Sequence, residues 1–332
     1  MRDIILTIAV PVYNMELLLS RCLDSIALVE IKDSIEIIVI NDGSTDRSLE
    51  VAREYESKYS SFIRVINKQN GGWGTTINRA IIAAKGKYFK TLDSDDWFDS
   101  SELIKFVNLL KKMNVDIVAT SYTDQILNKE NRVRSFDPTL CNKQLEFSEY
   151  ISLVNYNLEL PIHALCYRTG LLQKNDISVS DRFYSDLEYD LLPLCYVNSI
   201  YLTQINLYQY FIGREGQSVS IAGYKKNIND YICVVKRLVS HYTSYYTSTS
   251  EELRLVYQNN IMTFAKFAYK LLLNCKDTKY EKIIKDFDQF LFETNRAIYS
   301  DLNKVLAINI IPYIYLWRKF GINIYKIKKT LK

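Results

Sequence analysis

The chain has 332 residues, 48% of them hydrophobic and 24% charged, the balance of a soluble globular protein. No apolar run reaches the roughly 18 residues that span a membrane, and a net charge of +4 is too weak to point to nucleic acid. The cysteines Cys22, Cys141, Cys166, Cys195, Cys233 and Cys275 are scattered and form no Cys-x-x-Cys pair, so neither a zinc site nor a thiol-redox motif is supported.

The charge is unevenly placed. No acid follows Asp301, whereas Lys304, Arg318, Lys319, Lys326, Lys328, Lys329 and Lys332 do, so residues 1–301 carry a net charge of about −3 and the basicity belongs to the tail. Met1-Arg2-Asp3-Ile4 runs directly into a strand pattern without the hydrophobic region of a signal peptide, which leads us to expect a cytoplasmic protein.

Leu6 to Asn14 is a short apolar run ended by Pro11 and Asn14 and reads as a buried strand feeding a loop. Leu17, Leu18, Cys22, Leu23 and Ile26 follow at helical spacing. Ile35 to Ile40 is a second buried strand, running into Asn41-Asp42-Gly43-Ser44-Thr45-Asp46. The pattern repeats through Phe62–Ile66, a helix opened by Asn70-Gly71-Gly72-Trp73-Gly74, and a strand over Tyr88–Leu92. Strand, polar loop, helix, strand predicts an α/β fold with a mostly parallel, Rossmann-like sheet, whose ligands bind beyond the carboxyl ends of the strands. Each polar loop has a use there. Asp42 and Asp46 can accept hydrogen bonds from a base or ribose, and glycines ahead of a helix N-terminus suit phosphate.

The last strand delivers Asp93-Ser94-Asp95-Asp96-Trp97, three carboxylates within four positions. Acids held that close repel unless a cation joins them. Carboxylate oxygens without a nearby histidine or cysteine favour Mg²⁺ or Mn²⁺, which usually share such a site with substrate phosphates. The plainer reading is an Asx-rich turn capping the helix that starts near Ser100.

Taken together, Val10-Pro11-Val12-Tyr13-Asn14, Asn41–Asp46, Asn70-Gly71-Gly72 with Asn78, and Leu92–Trp97 resemble, in order and spacing, the successive motifs of family 2 glycosyltransferases of the GT-A nucleotide-diphospho-sugar transferase fold. The resemblance implies that Pro11, Val12, Tyr13 and Asn14 line a nucleotide pocket and that Asp42, with Gly43 and Ser44, meets the nucleobase. It also implies that Asn70, Gly71, Gly72, Asn78 and Ser94 belong to the nucleotide-sugar site, and that Asp93 and Asp95 are the D-x-D acids that hold metal. Asp96, Trp97 and His163 fall on the acceptor side, although a histidine beside an apolar run is more often structural. Trp73 and Gly74 replace the usual small pair, and Arg79 stands where glycine is common.

Residues 121–160 read as a polar hairpin or loop over the site. Inverting transfer needs a carboxylate to accept the acceptor hydroxyl proton. Counting back from the aromatic strand Leu207–Tyr210 makes Asp186 the family's base, with Glu188 as runner-up; on a helix the two point about 200° apart, so only one can face the site. An exposed acidic helix start is the alternative. Arg214, in the loop Gly213–Ser220, is placed to reach a diphosphate.

The expected organisation is a catalytic domain over 1–220, with 1–120 binding nucleotide and 121–220 binding acceptor, followed by an α-helical extension over 221–332. The aromatic and basic segment 311–332 suits an anionic membrane surface, which would place the protein at the inner face of the cell membrane; a core-packing helix with a solvated basic edge, or an oligomer contact, is the alternative. The resulting expectation is a metal-dependent inverting transferase that uses a nucleotide sugar, a UDP-sugar by preference, and a glycan or lipid-linked acceptor, of the kind found in bacterial capsular or exopolysaccharide synthesis. A homo-oligomer is left open. A sugar-nucleotide pyrophosphorylase would carry a basic Gly-rich loop after the first strand, which Pro11-Val12-Tyr13-Asn14 is not. A non-catalytic nucleotide-binding scaffold at the membrane is disfavoured by the intact acids.

Overall fold

The computed structural model describes residues 2–214, 220–275, 277–306 and 311–325. They divide into two units, 1–150 with 159–217, and 151–158 with 218–332. That 151–158 belongs with the helical unit was not anticipated from the sequence.

Apolar runs build the first unit. β1 (Leu6–Val12) and β2 (Ile35–Asp42) are buried at every position, as strands covered on both faces must be. The remaining elements follow in alternation: α1 (Leu19–Ile26), α2 (Ser48–Lys58), β3 (Ile63–Lys68), α3 (Trp73–Ala83), β4 (Tyr88–Thr91), β5 (Trp97–Phe98) and α4 (Ser100–Leu110). Then come β6 (Ile117–Ile126), β7 (Arg132–Arg134), β8 (Gln144–Glu146), α5 (Phe147–Leu153), β9 (Leu165–Arg168), α6 (Thr169–Lys174), α7 (Asp186–Leu191) and β10 (Ser199–Ile212). The stretch read as a hairpin does contain one, β6 with antiparallel β7, but β6 itself is a sheet strand.

The strand order is β3-β2-β1-β4-β9-β6-β10-β5, with β7 on β6 and β8 on β10. β1, β2, β3 and β4 are mutually parallel, as are β6 and β10, and β9 runs antiparallel between β4 and β6. Chain direction therefore brings the ends of β1, β2 and β4 to one sheet edge, on either side of the point where the order reverses. A buried lysine fixes the centre. Lys90 on β4 donates to the carbonyls of His163 (2.8 Å) and Leu165 (3.0 Å), and burial lowers its pKa to about 8.

The second unit is helical: α8 (Ile221–Lys226), α9 (Ile228–Tyr245), α10 (Glu251–Leu273), α11 (Lys279–Thr294), α12 (Arg296–Leu302) and α13 (Tyr313–Phe320). Val234, Val235, Leu238, Val256, Ile261, Ala265, Phe287 and Leu291 form its interior. α13 corrects part of the reading of the tail. Its Tyr313 and Ile314 are buried, and Arg318 is spent inside the unit, pairing with Asp288 at 2.7 Å and donating to Tyr299 O, Asn303 Oδ1 and Tyr269 OH. Residues 326–332, with four of the tail's lysines, lie outside the described residues. Among the described residues no helix is long and apolar enough to cross a membrane.

Candidate active site

The loops after β1 and β2 are tied to one another. Asn14, at φ 52°, accepts from Thr45 N (2.8 Å), and its own N–H donates to Ser44 Oγ (3.1 Å). Pro11 and Val12 are buried within β1. Tyr13, 48% exposed, and Asn14 are what this loop presents.

Asp42 is not the free carboxylate expected for a base contact. Its Oδ1 accepts from Gly71 N (3.0 Å) and from Lys68 Nζ, and its Oδ2 from Gly72 N (2.8 Å). Three of its roughly four lone-pair positions are thus engaged. Lys68 is set opposite Asp42 by the β2–β3 register and also reaches Gln69 O and Thr75 Oγ1. Asn70 Nδ2 donates to Asp42 O (3.0 Å), and a Cβ on Gly43 would meet Asn70 N at 2.8 Å. The second and third loops are therefore one braced unit. Asn78 also differs from expectation. Its side chain grips the backbone of Val179, N–H at 2.9 Å and C=O at 2.8 Å, which makes it a clamp on the 179–181 segment.

The acidic cluster splits three ways. Asp93 Oδ1 accepts from the indole Nε1 of Trp73 (2.9 Å), and Asp93 N–H donates to Tyr208 OH (3.2 Å). Burial, then the charge of Asp95, pushes Asp93 up to about 7, with a further push from Asp186; the indole and Arg214 oppose it. Asp95 Oδ2 pairs with Arg214 Nε (2.7 Å) and Nη2 (2.6 Å), and its carbonyl accepts from Arg21 Nη2 (2.6 Å). Asp96 is 1% exposed and accepts from Tyr208 OH and Phe211 N, both at 2.7 Å. Its expected acceptor-side role is corrected: the carboxylate is a bolt between the loop and β10. Ser94 is buried beside it. Trp97 is covered by Arg21, whose guanidinium lies 4.1 Å from the ring centre, and by Phe211.

His163 is packed rather than presented. Its ring stacks on Tyr210 at 4.1 Å and meets Tyr208 edge-on at 4.8 Å, and burial drops its pKa to about 3, which keeps it neutral.

Asp186 opens α7 and is preceded by Tyr184 at φ 70°, a left-handed conformation that costs a bulky residue about 1–3 kcal/mol. Burial raises the Asp186 carboxyl. Glu188 faces elsewhere. It is fully buried, its Oε2 accepting from Ser180 N (2.6 Å) and its Oε1 from Ser180 Oγ (3.0 Å), so it braces the chain and the runner-up base is corrected to a structural residue. Around Asp186, Ser185 Oγ, Tyr189 OH and Asp190 Oδ1 are buried without a hydrogen-bond partner, an uncommon state away from ligand sites.

Among the described residues no three His, Cys, Asp or Glu side chains converge as a metal cage. Two carboxylates suffice when a diphosphate supplies further oxygens. Asp93 and Asp95 each have one oxygen engaged in a hydrogen bond, and Asp93 sits in a buried, like-charged position that a cation would relieve. The donor set fits Mg²⁺ or Mn²⁺.

Sequence reading passed over Arg21, Lys68 and the bracing role of Trp73. Only Lys68 left a signal, a cation at the end of a strand beside a strand ending in Asp42.

Residues 7–169 match the family model "Glycosyl transferase family 2". The uncharacterized glycosyltransferase EpsJ of Bacillus subtilis is 28% identical over 215 residues, 62% of this chain and 60% of that protein. The poly(ribitol-phosphate) beta-glucosyltransferase of Bacillus spizizenii is 40% identical over 114 residues, 34% of this chain and 18% of that protein. The chain thus spans less than two thirds of these relatives. Among solved structures, S. aureus TarS 1-349 in complex with UDP-GlcNAc superposes with a TM-score of 0.65 at 20% identity, covering 89% of this chain and 83% of that one. The mannosyltransferase PcManGT of Pyrobaculum calidifontis, in complex with GDP-Man and Mn²⁺, gives 0.51 at 13% identity, covering 86% and 80%. At these identities the likeness establishes the fold, the GT-A arrangement with its helical C-terminal region.

Proposed function

Because residues 7–169 of this chain belong to glycosyl transferase family 2, we propose that the protein transfers a sugar from a UDP-linked donor to a hydroxyl of a glycan or lipid-linked acceptor, by single displacement with inversion. One observation carries the reading: Asp93, held by the Trp73 indole, and Asp95, paired with Arg214, follow β4 at the sheet edge where the ends of β1 and β2 also lie. The UDP-GlcNAc bound by TarS, a protein of the same fold, supports the donor class.

A divalent cation on Asp93 and Asp95 would offset the charge of the diphosphate. Asp186 accepts the proton of the acceptor hydroxyl as that oxygen attacks the anomeric carbon; the bond from that carbon to the diphosphate oxygen breaks, and the nucleoside diphosphate leaves. The raised carboxyl of Asp186 suits it to hold that proton. Arg214, beside Asp95, supplies a cation for the diphosphate. The lipid-linked acceptor and the anionic membrane surface are supported by exposed Phe320 and Ile322 ahead of the lysine-rich residues 326–332.

Asp186→Asn tests the base. Transfer should fall at least about 100-fold with UDP affinity unchanged, and wild-type rates in the folded variant would refute the assignment.

A further inference from the structure

We infer that the indole of Trp73 positions Asp93 for a divalent cation and ties that acid to the helix opened by Asp186, an inference that rests on the transferase reading above. The indole Nε1–H donates to Asp93 Oδ1 at 2.9 Å. A carboxylate with one oxygen fixed by a rigid donor presents the other in a set direction, and such outer donors typically alter metal affinity about 10–100-fold.

The donor is held through the backbone and through one edge-to-face neighbour of its ring. A Cβ on Gly72 would stand 2.8 Å from Asp181 O, and one on Gly74 would stand 1.8 Å from Ser180 O, so the start of α3 lies directly against the backbone of 180–181. Asn78, one turn further on, locks α3 to Val179 with two hydrogen bonds. The ring meets Tyr189 of α7 edge to face, 6.2 Å between centres at 90°, and Tyr189 in turn meets Tyr167 of β9 at 5.4 Å. Tyr189 is fully buried, so this wall does not yield. One side chain therefore touches the metal-type acid with its polar edge and the base-bearing helix with its apolar body.

Mn²⁺ binding to the full chain in the presence of UDP, read from the free-ion electron paramagnetic resonance signal, separates the two roles of the ring. Trp73→Phe keeps an aromatic body and removes the N–H; Trp73→His keeps a ring N–H donor. The expected result is a Kd for Mn²⁺ raised about tenfold in Trp73→Phe, a smaller rise in Trp73→His, and metal-free melting temperatures near wild type. Wild-type Mn²⁺ affinity in Trp73→Phe, or equal losses in both variants, would overturn the positioning role. A measurement on the unsubstituted chain avoids any folding defect: Mn²⁺ should broaden the ¹⁵N-indole resonance of Trp73, and a resonance untouched by bound Mn²⁺ would overturn the inference. A wild-type chain that binds no Mn²⁺ at all would instead remove the metal reading on which it rests.

Discussion

Asp93 is a buried carboxylate beside the like charge of Asp95. Its pKa of about 7 follows from burial and from Asp95, against about 3.9 for an aspartate in an unfolded chain. Between those values the folded state binds the proton more tightly, so the stability this group contributes is fully present below about pH 4 and is lost as pH rises through about 7. The metal-free protein should therefore lose melting temperature between about pH 4 and about pH 7, and Asp93→Asn should flatten that slope. Added Mn²⁺ should restore the wild-type protein at the upper pH, since a ligand of the folded state stabilises it. Identical slopes in the two proteins would contradict this account. The acids themselves were legible in the sequence because three carboxylates at a strand end are rare enough to notice. Their separate duties were not. Asp96 takes its partners from Tyr208 and Phe211, more than a hundred residues away, and Glu188 accepts from Ser180, which precedes the helix.

At the level of elements, the strands of the nucleotide-binding half were readable from unbroken apolar runs, and α3 from its glycines. What spacing could not reveal is why Gly74 stands there: the carbonyl of Ser180 occupies the space of a side chain. The antiparallel insertion of β9 was equally hidden, since a four-residue strand, Leu165–Arg168, is too short to show a period of its own. The tail resolves two readings of one composition. Aromatic and basic residues over 311–332 fitted either a membrane surface or a core-packing helix with a basic edge, and over α13 the second holds: the Arg318 side chain is 6% exposed and paired with Asp288 within the helical unit. The membrane proposal now rests on Phe320, Ile322 and the lysines beyond Tyr325. A chain ending at Tyr325 should keep its melting temperature and bind anionic phosphatidylglycerol vesicles on the order of 1,000-fold more weakly, from about 1 kcal/mol for each of the four lysines lost. Undiminished vesicle binding would refute the membrane reading.

For the whole molecule, the alternation of strand and helix was enough to predict a mostly parallel sheet, and the motif order was enough to predict the family. The strand order adds the reason that three loops far apart in sequence share one edge: β1 lies between β2 and β4, and chain direction brings all three ends together. That edge holds the acids with the chemistry of a metal site, the anchored Asp42 and the exposed Tyr13, while α7 of the same unit contributes Asp186. The central claim is that this arrangement activates a UDP-linked sugar with the help of a divalent cation. Incubating the chain with a panel of nucleotide sugars and measuring released nucleoside diphosphate, with Mn²⁺ and with a chelator, tests it most directly. We predict release of UDP from at least one UDP-sugar that requires the cation and is lost in Asp95→Asn; release that is indifferent to chelator and to Asp95→Asn, or no release from any donor in the presence of Mn²⁺ and acceptor glycans, would contradict it.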